Sequence, residues 1–306
     1  MHYQVAIIGA GAAGLSASIY ARRAGLSVAI FEKIMPGGQA ATTPDIDNYI
    51  GFPDEISGME LMERFYNHAM KFEPELIYEE ICSIDFDAVP KKICTDNKEY
   101  TADSIIIASG ATPRELGVEG ERRLRGRGVS YCATCDGMFF KGKNVAVIGG
   151  GNTAAEDALY LVNLCEKVYI VHRRDELRAD KSLVARVLDC VKIQPVWNAK
   201  VSEIVGQDSV EGIVLDTGEK LDVSGVFVAV GVTPSNCLVR NVLELDGGGF
   251  IITDEKMQTS VPGVFACGDV RNTPLRQVIT AASDGAVAAS AASEYVRDNV
   301  EKQVSE

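Results

Sequence analysis

Tyr3-Gln4-Val5-Ala6-Ile7-Ile8-Gly9-Ala10-Gly11-Ala12-Ala13-Gly14 decides the fold. The first half is an apolar run, which predicts a buried strand. The second half is a G-x-G-x-x-G turn, and an apolar-periodic helix is predicted from Leu15 to Ala24. Ser27–Phe31 predicts a second strand, and Glu32 stands directly at its end. Strand, glycine turn, helix, strand and acid in this order form a dinucleotide-binding unit. The glycines let backbone N–H groups approach a pyrophosphate at the helix N-terminus, and Glu32 can accept hydrogen bonds from a ribose diol.

The same pattern returns once. Asn144–Gly149 predicts a strand, Gly149-Gly150-Gly151-Asn152-Thr153-Ala154 is a G-x-G-x-x-A variant of the turn, and a helix is predicted to Leu164. Lys167–Val171 predicts the next strand. The slot that holds Glu32 in the first unit holds His172 here, followed by Arg173 and Arg174, with Arg178 beyond. A carboxylate in that slot favours a free 2′-hydroxyl, whereas a basic cluster offers charge-assisted bonds to a 2′-phosphate. The first unit therefore reads as a site for FAD or NAD, and the second as a site for NADP. The expected fold class is α/β with two Rossmann-like dinucleotide-binding domains, the second inserted into the first. The expected boundaries are 1–112, 113–245 and 246–306.

Directly before the second unit stands Cys132-Ala133-Thr134-Cys135-Asp136-Gly137. A C-x-x-C pair beside a nicotinamide fingerprint points to electrons passing between a nicotinamide and a dithiol, and the first unit can supply the relay between them. Asp136 is placed to serve as the acid or base of the thiol chemistry. The spacing leaves open which cysteine plays which part. A structural zinc site needs four ligands. No second C-x-x-C exists, and His2, His68 and His172 are not paired, so the metal reading is set aside.

Composition bounds the rest. The formal charge of −13 lacks the basic footprint of a nucleic-acid binder. Within this acidic chain Arg122, Arg123, Arg125 and Arg127 cluster just before the cysteine pair, as a solvated loop or as a docking patch for an acidic partner. The N-terminus enters a strand without a basic n-region, and Val278–Tyr295 is interrupted by Asp284 and serines. The expectation is a cytoplasmic protein without a membrane span, whose last helix packs closely on a sheet. Of eight cysteines, the six outside the pair read as reduced core thiols.

Taken together, Gly9–Gly14, Gly37-Gly38-Gln39, Cys132–Gly137, Gly149–Ala154, His172–Asp175 with Arg178, and Gly263–Asp269 with Arg276-Gln277 are motifs the chain shares with one family. Along essentially its whole length it resembles the bacterial-type, low-molecular-weight thioredoxin reductases. The resemblance implies FAD on the first unit, NADPH on the second, a redox disulfide between Cys132 and Cys135, thioredoxin as partner and a homodimer. It implies that Gly9, Gly11, Ala12, Ala13, Gly14, Glu32, Lys33, Gly38, Gln39, Asn48, Gly268, Asp269, Arg276 and Gln277 serve the flavin cofactor. Gly149, Gly151, Asn152, Thr153, His172, Arg173, Arg174 and Arg178 would serve NADPH. It also implies that Cys135 faces the flavin and Cys132 attacks the partner. Rotation of the NADPH domain is implied as well, with the joining pieces expected around Thr112–Pro113 and Leu243–Gly248. The chain departs from many relatives in having Cys267 before Gly268-Asp269. The alternative within the same chemistry is a related flavin enzyme acting on a peroxiredoxin-type partner or a small dithiol.

Overall fold

The apolar run that opens the chain is the central strand His2–Ile8. The computed structural model describes residues 1–43 and 45–305, so Pro44, in the loop after Gln39, lies outside the described residues. His2–Ile8 pairs in parallel with Val28–Phe31 on one side and Glu99–Ile107 on the other, Ile8 standing opposite both Phe31 and Ile107. Glu75–Ile77 extends the sheet beyond Val28–Phe31, while Lys91–Thr95 and Ile81–Asp85 extend it antiparallel on the other side. Val264–Ala266 adds a further parallel strand along Glu99–Ile107. The chain leaves His2–Ile8 to one side through the helix Ala12–Arg23 and returns on the other. The crevice of such a sheet therefore opens at the carboxyl end of this strand, where Gly9 stands.

A second parallel sheet repeats the arrangement. Asn144–Gly149 lies between Lys167–His172 and Gly225–Ala229, with Ile193–Trp197 and Val129–Ser130 at the edges. The helix Asn152–Leu161 follows its glycine turn, burying Ala154, Ala155, Ala158 and Leu161 in one cluster with Val145 and Val147. Val201–Val205, Gly212–Leu215 and Lys220–Leu221 make a separate antiparallel sheet.

The chain divides into two compact units, one of Met1–Thr112 with everything from Thr233 onward, the other Pro113–Val232. The return to the first unit thus comes at Thr233, not at residue 246. The reason is hydrophobic: Val239 and Leu243 are buried in one cluster with Tyr3, Ala6, Ile251 and Val264. Gly247-Gly248-Gly249 accordingly lies inside the first unit and joins nothing. The Asp246 carboxylate accepts the N–H groups of Gly248 and Phe250 and folds the glycines into a turn.

The final helix spans Val278–Ser305 and packs on the sheet as expected, its Ala288, Ala289 and Ala292 in one cluster with Ile106 and Phe265, and its small residues also meet the helix Ala12–Arg23. A Cβ on Gly285 would lie 2.1 Å from the Ala13 carbonyl oxygen, and the Ser16 hydroxyl donates to the Ala282 carbonyl at 2.7 Å. A helix runs Gly58–Met70, with the Ser57 hydroxyl accepting the Glu60 N–H at 3.1 Å. Gly249–Thr253 makes only isolated bridges at Ile251. Two helices were not anticipated, Lys181–Asp189 and the short Ala133–Asp136. Among the described residues no helix is long and apolar enough to cross a membrane.

Candidate functional site

Four segments of the first unit converge on the start of the helix Ala12–Arg23. Gly9 has φ +106°, and a Cβ there would stand 2.5 Å from the Ala108 carbonyl oxygen. A Cβ on Gly14 would sit 1.9 Å from the Gly9 carbonyl oxygen, so neither position accepts a side chain. Glu32 leans over this turn: its Oε2 accepts the Ala10 N–H at 3.1 Å and its Oε1 the Ile34 N–H at 3.0 Å. Gly37 donates its N–H to the Ala10 carbonyl at 2.8 Å, which brings Gly38 within contact of Gly11. Gly268 completes the ring, since a Cβ there would lie 2.9 Å from the Cβ of Ala13. The cradle has the form that a pyrophosphate needs, with close backbone approach at a helix N-terminus and an acid at the ribose position. Ala12 and Ala13 contribute backbone from the first turn of that helix.

Further along the same unit, Asn48 Nδ2 donates to Gln277 Oε1 at 3.1 Å, joining positions 229 residues apart in sequence. Gln39 Nε2 donates to the Ala111 carbonyl. Burial pushes the Asp269 carboxyl up to about 6, opposed by the charge of Arg276. The Arg276 guanidinium stacks 4.1 Å over Phe250, and its buried Nε has no partner among the described residues. An unpartnered buried donor beside a half-buried carboxyl is a fit for a polar ligand group at this end of the cradle. Lys33 instead lies 3.6 Å from Glu80 on the surface. Asp284 was noted in the sequence only as a charge in an apolar stretch. Its carboxylate accepts the Gly268 N–H at 3.1 Å and is paired with Arg271 at 3.1 Å, both side chains largely buried, and so holds the turn that carries Asp269.

In the second unit the three glycines are not equivalent. A Cβ on Gly149 would stand 2.3 Å from the Ala229 carbonyl oxygen, one on Gly150 would stand 2.2 Å from the His172 ring, and Gly151 faces open space as the N-cap of Asn152–Leu161. Gly150→Ala would therefore be overpacked, and we expect it to cost roughly 1–3 kcal/mol, read as a fall in Tm. His172 is 4% exposed. Burial, followed by the charges of Arg178, Arg174 and Arg173, holds its pKa below the ordinary value. Its ring packs on Gly150, and the lowered pKa favours the uncharged form. The exposed guanidinium groups of Arg173, Arg174 and Arg178 remain around it. Both ends of the Asn152 amide are occupied by Asp180, which accepts from Nδ2 at 3.0 Å and donates its N–H to Oδ1 at 2.9 Å. Asn152 thus has its backbone to offer a ligand, and exposed Thr153 follows it at the helix start.

Cys132 and Cys135 are joined as a disulfide, their Cα atoms 5.3 Å apart. Cys132 is the N-cap of the short helix Ala133–Asp136, and both sulfurs belong to half-buried residues. Gly137 fixes the turn against its neighbours, because a Cβ there would lie 3.1 Å from the Leu161 and Tyr160 side chains. Asp136 is half-buried, and its Oδ2 accepts the Ser130 hydroxyl at 2.5 Å. Upstream, the 1% exposed Glu121 accepts the N–H groups of Leu116 and Gly117 and the hydroxyl of Tyr131.

The arginine cluster is largely tied into this framework. Arg122 pairs with Glu115 at 2.8 Å, Arg123 donates to the carbonyls of Gly206 and Gln207, and Arg125 stacks on Tyr131. Arg127 is exposed. Of the other six cysteines only Cys165 and Cys267 are buried, while Cys82 and Cys237 are exposed and Cys94 and Cys190 intermediate, so the core-thiol expectation holds for two. Cys267 packs among Ala10, Ala13 and Leu15, and burial pushes its thiol well up. It is an inert core group.

Two dinucleotide cradles and a disulfide with an adjacent acid define a class. The chain belongs to the pyridine nucleotide-disulphide oxidoreductase family, whose model matches residues 3–285. Within that class it is similar to thioredoxin reductases. It is 44% identical to the thioredoxin reductase of Peptoclostridium acidaminophilum, over 98% of this chain and 99% of that protein. It is 43% identical to that of Bacillus subtilis, over 97% and 95%. The crystal structure of thioredoxin reductase from Streptococcus pyogenes superposes with a TM-score of 0.92 at 44% identity, covering 97% of this chain and 99% of that one.

Proposed function

We propose that the protein is an NADPH-dependent thioredoxin reductase that carries FAD and works as a cytoplasmic homodimer. The observation that supports this most is the Cys132–Cys135 disulfide with Asp136, set in the same unit as a glycine cradle flanked by three arginines. The resemblance to named thioredoxin reductases along nearly the whole chain supports the choice of partner.

FAD would be held by the first cradle. Gly9, Gly11, Ala12, Ala13 and Gly14 offer backbone to the pyrophosphate, Glu32 meets a ribose diol, and Gly38, Gln39, Asn48, Asp269, Arg276 and Gln277 line the remainder. NADPH would be held by Gly149, Gly151, Asn152 and Thr153 at the pyrophosphate and by Arg173, Arg174 and Arg178 at the 2′-phosphate. When bound, the flavin supplies the conversion of a nicotinamide hydride into the electron pair that reduces a disulfide.

The chain's own thiols do the rest. Two electrons and two protons convert the Cys132–Cys135 disulfide to a dithiol. The Cys132 thiolate attacks one sulfur of the thioredoxin disulfide, breaking that bond and forming a mixed disulfide. Cys135 then attacks Cys132 Sγ, which releases reduced thioredoxin and restores the original disulfide. Each attack needs a thiolate, and Asp136 is the neighbouring group that takes or returns the proton.

A visible flavin spectrum in the purified protein, bleached by NADPH and restored by oxidised thioredoxin, is the expected outcome. Restoration by small disulfides or a peroxiredoxin with no response to thioredoxin would favour the alternative partner. The exposed Arg127 supports a docking role near the disulfide, where a rim charge acts mainly on encounter rate. Arg127→Glu is expected to slow reduction of thioredoxin and weaken its salt dependence, while flavin bleaching by NADPH keeps its rate. An unchanged rate with thioredoxin would make Arg127 an ordinary surface charge.

A further inference from the structure

Asp136 is placed by sequence beside Cys135, but something must decide where its carboxylate points. The short helix Ala133–Asp136 ends on that residue. The strand Val129–Ser130, which precedes the cysteine pair, brings in a side chain that can do so. Ser130 is 4% exposed, in a strand that pairs with Gly225–Ala229 at the edge of the second unit's parallel sheet. Its Oγ stands 2.5 Å from Asp136 Oδ2 and accepts the Cys132 N–H at 3.0 Å. The Cys132 carbonyl is also near, at 3.2 Å, but a hydroxyl has one proton, and the shorter approach to the carboxylate takes it. One buried hydroxyl thus holds both ends of the dithiol turn, the backbone of its first cysteine and the carboxylate behind its second.

We propose that Ser130 is a positioning residue for the thiol chemistry, setting both the orientation and the proton affinity of Asp136 through this hydrogen bond. The proposal rests on the reading of Asp136 as the group that exchanges a proton with the dithiol. A hydroxyl that donates to a carboxylate favours its charged form. Removing the donor from this half-buried carboxylate favours the protonated form, so the pH-dependent limb set by Asp136 moves to higher pH. The loss of one hydrogen bond to a charged group corresponds to a movement of roughly one to two pH units. The same loss frees the Cys132 N–H, so the rate at the optimum falls as well.

The test uses the flavin-loaded enzyme, reduced beforehand and reoxidised by thioredoxin in a single turnover over a pH series. Ser130→Ala is expected to move the limb upward by roughly one to two units, and Ser130→Thr, which keeps the hydroxyl, to return it close to the unmodified position. Asp136→Asn is expected to remove the limb, and adding Ser130→Ala to it is expected to have no further effect on pH dependence. If Asp136→Asn keeps the unmodified limb, the reading of Asp136 fails. If Asp136→Asn removes the limb while Ser130→Ala leaves it in place, the reading of Asp136 stands and the proposal for Ser130 is overturned. A purely structural serine would lower Tm or flavin content with the limb unmoved, which also overturns it. Alkylation of the reduced dithiol by iodoacetamide, followed by mass spectrometry over the same pH series, gives a second readout independent of turnover. Ser130→Ala is expected to displace that curve, and an unmoved curve contradicts the proposal.

Discussion

Cys132→Ser and Cys135→Ser are each expected to lower NADPH-driven reduction of thioredoxin by roughly a thousandfold or more. Residues that act as one unit lose nearly the whole effect when either is removed. The two variants are nonetheless expected to differ. With Cys135→Ser, Cys132 keeps its thiol but loses the group that would resolve a mixed disulfide. It should therefore capture a thioredoxin that presents a single, activated active-site cysteine, and the adduct should persist on a non-reducing gel. With Cys132→Ser the remaining thiol is the one assigned to the flavin side, and capture should be slow. The structure makes the pair interdependent: Cys132 caps the short helix that carries Cys135, and the two are bonded across 5.3 Å between Cα atoms. Equal capture by both variants would show that the division of labour is wrong, and preferential capture by Cys132→Ser would reverse it.

Nicotinamide choice carries the next largest effect. NADPH differs from NADH by the 2′-phosphate alone, so discrimination must come from groups near that phosphate. The strand Lys167–His172 delivers Arg173 and Arg174 to the end of the second unit's nucleotide-binding motif, and Arg178 closes on the same place through its backbone bond to the Gly150 carbonyl. His172 is buried beside Gly150 with its pKa held below the ordinary value, so on the proposed reading the guanidinium groups would carry most of the charge toward the phosphate. A hydrogen bond to a charged group is worth about 1.5–3 kcal/mol net. Arg173→Ala and Arg174→Ala should each raise the KM for NADPH roughly ten- to a hundredfold, since about 1.4 kcal/mol is tenfold. The kcat should change little, the pattern of lost uniform binding, and NADH should be almost unaffected. Steady-state kinetics with both nucleotides checks this, and comparable kcat/KM for NADH and NADPH in the unmodified enzyme would contradict the assignment.

Much of the fold was legible because its signals are local. Strand, glycine turn, helix, strand and end residue lie within about thirty residues in such a unit, and each piece constrains the next. The C-x-x-C-D motif was legible for the same reason. What escaped depends on residues that meet only after folding. Asp284 holds the Gly268 turn from the final helix, Asn48 reaches Gln277 across 229 positions, and Ser130 faces Asp136 from the preceding strand. None of these pairings has a periodic or spacing signature.

These gaps share a cause. His172 was read by residue type, and only the fold shows its burial against Gly150, which lowers its pKa. The joining piece that the resemblance placed at Leu243–Gly248 lies inside the first unit. The Asp246 side chain closes it into a turn, and Val239 and Leu243 anchor the preceding segment in the first unit's core. The last helix does pack on the sheet, but nothing local in the sequence showed that its small residues would also let it approach the backbone of Ala12–Arg23.

The central claim is that electrons from NADPH leave the protein as thioredoxin thiols. The direct measurement is a stoichiometric one. The flavin-containing protein is given limiting NADPH with an excess of oxidised thioredoxin, and NADPH loss and new protein thiols are counted together. The account predicts two thioredoxin thiols for each NADPH consumed, and almost no NADPH consumption when thioredoxin is left out. NADPH consumed at the same rate without thioredoxin, or consumed with no thiols appearing, would contradict it.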